Sequence, residues 1–128
     1  MHKAIVMMLL TVASTSAAAE WVSIGGTGGM TTYMDPATVR RTGNMAEMWT
    51  LSDYTTLRED IGKPYRSVRG LQEYDCKEGQ SRTLSKSFHS GNRADGEIVS
   101  HSSEIGNWEP VSPQARSELP WKLVCRKK

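Results

Sequence analysis

The histidine, serine and cysteine side chains are the groups of this chain that could bind a metal ion or act as nucleophiles. Outside the N-terminal segment the histidines are His89 and His101, both on stretches that alternate like strands. A zinc site usually requires several closely spaced ligands, so these two would have to meet across a hairpin, near Glu97 or Glu104. Because exposed histidines on strands are much commoner than ligands, we predict no metal site.

Nucleophilic catalysis requires a serine, threonine or cysteine next to a base, and the sequence carries no Gly-x-Ser-x-Gly elbow. The glycine-rich stretch over residues 25–29 could suggest a phosphate-binding loop. However, Thr31 stands where the dinucleotide-binding pattern has its third glycine, and no Gly-Lys-Ser/Thr follows. We interpret the stretch as a hairpin turn, since glycine readily adopts positive φ. The sequence therefore predicts neither an enzyme nor a cofactor.

Two basic clusters are candidate binding residues for an acidic partner surface or a polyanion. They are the adjacent pair Arg40 and Arg41, and the final residues Arg126, Lys127 and Lys128. The alternative is a solvated strand face and a frayed terminus, which the small net charge of +2 favours.

Residues 1–19 have the composition of a secretory signal peptide. Lys3 precedes a short apolar run, and the small residues up to Ala19 fit the pattern of a cleavage site. The run is shorter than the ~20 apolar residues that span a bilayer. A buried N-terminal helix is the alternative, but it leaves the cluster of small residues unexplained. We expect an exported chain over residues 20–128, periplasmic or at the cell surface, with no lipid anchor because no cysteine lies at or near the cleavage site.

Cys76 and Cys125 are the only cysteines. An even pair in an exported chain is typical of a disulfide, since oxidising compartments preserve the bond. A metal or redox pair is the alternative, but it normally has a C-x-x-C spacing or further ligands nearby, which this sequence lacks. The sequence therefore predicts a structural disulfide between Cys76 and Cys125.

The composition predicts one folded domain over residues 20–128. The chain has 128 residues, of which 38% are hydrophobic and 23% charged, which is too apolar for a disordered chain. A dedicated nucleic-acid binder would carry a strongly basic stripe, so we expect no nucleic-acid partner. The four tryptophans are Trp21, Trp49, Trp108 and Trp121. They are expected in the core or at an interface, although an exposed tryptophan beside a basic cluster would anchor a protein partner.

Alternating side-chain patterns separated by short turns predict an antiparallel meander of about five to six strands. The strands are expected over residues 20–24, 30–35, 45–54, 65–76, 80–90 and 97–102. Between them, residues 55–64 are expected to form a loop, and Asp35 is expected to cap a single helical turn that begins at Pro36. After Ser112 and Pro113 a C-terminal helix is predicted, with a kink or break at Pro120. The predicted fold class is α+β.

Several short phrases occur in an order that carries a family resemblance: Trp21-Val22, the stretch 33–40, the stretch 48–51, the stretch 73–77, the stretch 108–111 and the closing Cys125. On these phrases the chain resembles the surface-adhesin protein E family of exported bacterial domains. The resemblance implies an antiparallel sheet to which a C-terminal helix is tied by the Cys76–Cys125 bridge, and often a dimer. It also implies a non-enzymatic adhesin that binds host matrix or plasma proteins such as vitronectin, laminin and plasminogen. The competing hypothesis is a periplasmic accessory module that binds a component of the cell envelope.

Overall fold

The structure, a computed structural model, describes residues 19–113 and 117–126. Apart from Ala19, the predicted signal peptide lies outside the described residues, and so do Lys127 and Lys128. Within the described part, no helix is both long enough and apolar enough to cross a membrane.

Strands make up most of the domain, and one short helix follows them. In chain order they are β1 (Val22–Thr27), β2 (Met30–Met34), β3 (Arg40–Thr42), β4 (Met45–Asp60), β5 (Lys63–Asp75), β6 (Gln80–His89), β7 (Ile98–Ser102), β8 (Glu109–Pro110) and α1 (Glu118–Val124).

All strands join one antiparallel sheet in the order β1-β2-β4-β5-β6-β7, with β3 paired to β4 and β8 paired to β6. The predicted number of five to six strands is therefore wrong, because the sheet has eight strands within the described residues. The six predicted strands are present, and the two additional ones are β3 and β8. These are three and two residues long, which is too short for side-chain alternation to reveal them.

The hairpin between β4 and β5 replaces the loop predicted over residues 55–64. Asp60 pairs with Lys63, so only Ile61 and Gly62 form the turn. Side chains from Thr55 to Glu59 are exposed, because here the hairpin extends past the covered part of the sheet. Without a buried face these residues show no apolar alternation, which is why the sequence pattern indicates a loop.

The main core lies between the sheet and α1. It contains Ala46 and Met48 of β4, Tyr74 of β5 and Val124 of α1, each almost completely buried. Leu51 lies three positions after Met48 on β4 and therefore faces the other side of the sheet, where it is also buried. Both faces of the sheet centre are thus covered, which makes the apolar alternation of β4 weaker than that of a one-sided strand.

The helix begins at Glu118, so the predicted start after Ser112 is too early. Pro120 is the third helical residue and is buried. The first N–H groups of a helix have no partner within the helix, so a proline there removes no hydrogen bond. The helix continues without a break, and Trp121 N–H bonds to the Ser117 carbonyl. The predicted kink is absent because Pro120 lies in the first turn.

The segment between β2 and β4 forms a single 3-10 turn over Pro36–Thr38. Asp35 makes no side-chain cap there, which corrects the predicted capping role. Instead the Thr38 hydroxyl donates to the Asp35 carbonyl (2.7 Å) and accepts from the Trp49 N–H (3.1 Å). Thr38 therefore fastens this turn to β4 in place of the expected aspartate.

Candidate functional site

Cys76 and Cys125 form the predicted disulfide, with their Cα atoms 5.4 Å apart. Cys76 directly follows β5 and Cys125 directly follows α1. Both half-cystines pack beside the core that contains Tyr74 and Val124. The bridge is therefore a structural link between the sheet and the helix.

One predicted basic cluster has a structural task as well. The Arg41 guanidinium donates from Nη1 to the carbonyl of Val124 and from Nε to the carbonyl of Gly43, both at 3.1 Å. Cations near the last carbonyls of a helix stabilise it. Strand β3 is thereby held against the end of the helix that Arg126 follows, so Arg41 and Arg126 lie at the same end of the molecule, while Lys127 and Lys128 lie outside the described residues. Arg40 and Arg126 are exposed there.

The two histidines that were considered as metal ligands differ in environment. His101 is exposed and pairs with Ser87 across β6 and β7, whereas His89 is only 6% exposed. Among residues 19–113 and 117–126, no three His, Cys, Asp or Glu side chains are grouped as a metal ion requires. His89 belongs instead to a groove on the sheet.

This groove, which we call the cationic groove, has a volume of about 670 Å³ and lies on the sheet face opposite α1. Tyr33 and Arg69 both pair with Leu51, so they share its face, and Met48 on the helix side points the other way. The lining residues come from the N-terminal segment, β2, β5, β6 and the connector after β6: Ala19, Trp21, Tyr33, Arg69, His89, Arg93 and Ala94.

Arg69 of β5 is part of the groove wall. Its guanidinium carbon lies 3.6 Å from the centroid of a Trp49 ring, the geometry of a cation–π contact. Burial lowers the pKa of Arg69, an effect that the charge of Asp35 partly opposes. Within the described part of the chain no carboxylate forms an ion pair with Arg69. The guanidinium is therefore oriented by an aromatic ring while its N–H groups have no acidic partner.

His89 presents a buried nitrogen without a partner. Its Nε2 is hydrogen-bonded to Ser87 Oγ at 2.7 Å, whereas Nδ1 is buried and forms no hydrogen bond with the described residues. Burial lowers the pKa of His89, and the positive charge of Arg69 lowers it further. The imidazole is therefore held in its neutral form at pH 7 and retains one unused polar atom.

The connector after β6 carries Arg93 and Ala94 into the groove in a strained conformation. Both residues have positive φ, 55° and 61°, which costs energy for residues other than glycine. Asp53 Oδ1 accepts the Arg93 N–H at 2.8 Å. Ser67 Oγ donates to the Gly91 carbonyl at 2.6 Å and accepts the Ala94 N–H at 2.9 Å. Two side chains from the neighbouring strands thus hold the connector in place.

A second depression lies on the helix side, between the β1–β2 hairpin and the start of α1, with a volume of about 840 Å³. Thr32 Oγ1 is buried there without a hydrogen-bond partner. Residues 114–116, which lead into α1, lie outside the described part of the chain. The cationic groove is therefore the better-defined candidate site.

The architecture defines the class as a small, disulfide-linked antiparallel sheet domain with a groove on the sheet face opposite α1. The family model described as surface-adhesin protein E matches residues 21–126. The chain belongs to that family, as its sequence phrases indicate, and it is an adhesin-like surface protein in that sense.

Among solved structures, the chain is similar to protein E from non-typeable Haemophilus influenzae. The TM-score is 0.61 at 11% sequence identity, and the match covers 88% of this chain and 79% of that one. At this identity the likeness shows the fold alone. No protein of established function in the curated collections matches the chain.

Proposed function

We propose that this protein is an exported, non-enzymatic adhesin that binds a host extracellular-matrix or plasma protein. The observation that carries the proposal is its membership of the surface-adhesin protein E family over residues 21–126. Removal of residues 1–19 on export is part of the proposal, as is a binding role for Arg40 and Arg126. The cationic groove supports it, because tryptophan, tyrosine and arginine are the residues enriched at binding hot spots.

The test is binding of the purified exported protein to immobilised vitronectin, laminin and plasminogen, with albumin as the control. We expect saturable binding to at least one of the three and none to albumin. Raised salt should weaken it, because charges at an interface rim are screened beyond about 10 Å at 0.1 M salt. Absence of binding to all three would contradict the proposal.

A companion measurement locates the protein. Protease added to intact cells should digest it if it is displayed at the surface. Protection from the protease would instead favour the competing hypothesis of a periplasmic module that binds an envelope component, and the adhesin proposal would fail.

A further inference from the structure

We propose that the cationic groove binds an acidic side chain, the carboxylate of an aspartate or glutamate, presented by a protein partner. The inference rests on the proposed protein-binding function and names the chemistry that one of its surfaces recognises. It is independent of Arg40 and Arg126, which lie at the helix end of the molecule.

The charges that line the groove have one sign. Arg69 and Arg93 are its only charged lining residues in the described part of the chain. Asp35 influences Arg69 electrostatically but forms no ion pair with it, and Asp53 is engaged by the connector. An arginine fork matches the two oxygens of a carboxylate. An incoming carboxylate would therefore supply the acceptor that the groove lacks.

The Arg69 guanidinium and the Arg93 backbone are oriented before a ligand arrives. The Arg69 guanidinium carbon lies 3.6 Å from the centroid of a Trp49 ring, and the Arg93 backbone is fixed by its N–H bond to Asp53. A side chain that is already ordered loses less entropy on binding. The strained φ of 55° at Arg93 is unusual for a residue of this kind, and such strain concentrates at binding sites.

The remaining lining suits a side chain carried by a protein surface. Trp21 and Tyr33 are partly exposed along the groove, so they can contact apolar groups beside the acid. His89, whose Nδ1 is buried without a hydrogen-bond partner among the described residues, also lines the groove. Since an unsatisfied buried polar atom is costly, a ligand that reaches it gains from satisfying it.

The test is titration of the exported, isotope-labelled protein with a blocked hexapeptide, acetyl-Gly-Leu-Glu-Leu-Glu-Gly-amide, followed by NMR. The control peptide has glutamine at both glutamate positions. We expect saturable shifts at Trp21, Tyr33, Arg69 and His89 with a Kd on the order of 1 mM, and no saturation with the control peptide. Sodium acetate at the same concentration measures how much of the effect a free carboxylate reproduces.

Two substitutions and a matched control complete the test. Arg69→Gln and Arg93→Asn should each weaken peptide binding at least fivefold, and asparagine tolerates the positive φ at position 93. Arg58→Gln should leave binding unchanged, since Arg58 also stacks on an aromatic ring, that of Tyr54 at 4.4 Å, but lies outside the groove. Unchanged melting curves for the variants would exclude unfolding as the cause.

The outcomes separate this inference from the proposed function. Equal binding of the glutamate and glutamine peptides, shifts outside the groove, or full affinity in Arg69→Gln and Arg93→Asn would overturn the carboxylate site. Adhesion to a matrix protein that survives both substitutions would leave the adhesin proposal intact while removing the groove from it. Peptide binding without adhesion to any matrix protein would support the carboxylate site and contradict the adhesin proposal.

Discussion

Arginine side chains have three different tasks in this small domain. Arg41 donates to the carbonyl of Val124, the last residue of α1. Arg69 lies over the ring of Trp49 and has no acidic partner in the described part of the chain. Arg82 pairs with Glu73 at 2.8 Å, and its guanidinium carbon lies 4.2 Å from the centroid of the Trp108 ring. The guanidinium groups of all three arginines contact other residues of the protein. Only the tertiary contacts decide which of them has donors left for a ligand.

This distribution explains why the candidate site was not evident from the sequence. Arg40 and Arg41 attract notice because they are adjacent, yet Arg41 is used to hold the helix. Arg69 and Arg93 are far apart in sequence and become neighbours of one groove only when β5 and the connector after β6 are placed together. The sequence marks His89 only as a possible metal ligand. Its burial, and the exposure of His101, follow from their places in the sheet and do not show in the sequence.

His89 makes the stability of the protein depend on pH. Burial and the charge of Arg69 lower its pKa in the folded state, while the unfolded value is about 6.5. Arg93 is the other charged residue of the groove lining in the described part of the chain. As the pH falls below about 6.5 the unfolded chain takes up a proton that the native His89 resists, so stability is lost progressively on acidification.

Urea unfolding at pH 7.5, 6.5 and 5.5 measures this effect. We expect the free energy of unfolding to fall across the series in the native sequence and in His101→Gln, whose histidine is exposed. The decline should be smaller in His89→Gln. Equal slopes in the two histidine variants would contradict the assignment.

At the scale of elements, the long hairpin of β4 and β5 contains the least favourable turn residue of the sheet. Ile61 has φ 51° and Gly62 has φ 74°, so the two-residue turn is of the type in which both central residues have positive φ. Glycine suits such a position, whereas a β-branched residue is a clear outlier. The Ile61 side chain is 91% exposed and recovers little of this cost through burial.

Replacing Ile61 by asparagine should therefore stabilise the protein, because asparagine followed by glycine is the preferred pair in this turn. We expect the free energy of unfolding to rise by about 1 kcal/mol, measured by chemical denaturation. Gly62→Ala at the next position is the opposing control and should destabilise by about 1 kcal/mol. A loss of stability in Ile61→Asn would show that the isoleucine makes contacts that the turn geometry does not reveal.

Most elements were predictable because their patterns depend on burial on one face. The strands β4, β5 and β6 follow from alternation, β1 and β2 from strand-like composition on either side of a glycine turn, and the helix from its apolar spacing. The exposed ends of β4 and β5 did not show in the sequence, since strand pairing there has no buried face to mark it. The predicted kink at Pro120 was wrong for a different reason. The effect of a proline depends on its position within the helix, and the sequence determines the first residue of a helix only to within a few residues.

At the scale of the whole molecule, the Cys76–Cys125 bridge closes a loop with a sequence separation of 49 residues. In the chain-entropy model a loop of this length contributes about 4 kcal/mol by restricting the unfolded chain. That amount is comparable with the total stability of many small domains. The bridge is therefore expected to decide whether α1 remains docked on the sheet.

Cys125→Ser should lower the melting temperature by roughly 10 °C or more, as measured by thermal unfolding followed by circular dichroism. Reduction of the native protein should have the same effect, and the double variant Cys76→Ser with Cys125→Ser should match the single one. An unchanged melting curve after reduction would show that the bridge adds nothing to stability.

The same bridge has a consequence for proteolysis. Residues 103–107 are exposed between β7 and β8, and a single cut there separates the chain into two polypeptides that each carry one half-cystine. Electrophoresis would show one band before reduction and two after it. Every residue that lines the cationic groove precedes this cut, so a nicked molecule keeps its whole groove on one fragment, and the disulfide becomes the only covalent link to the helix.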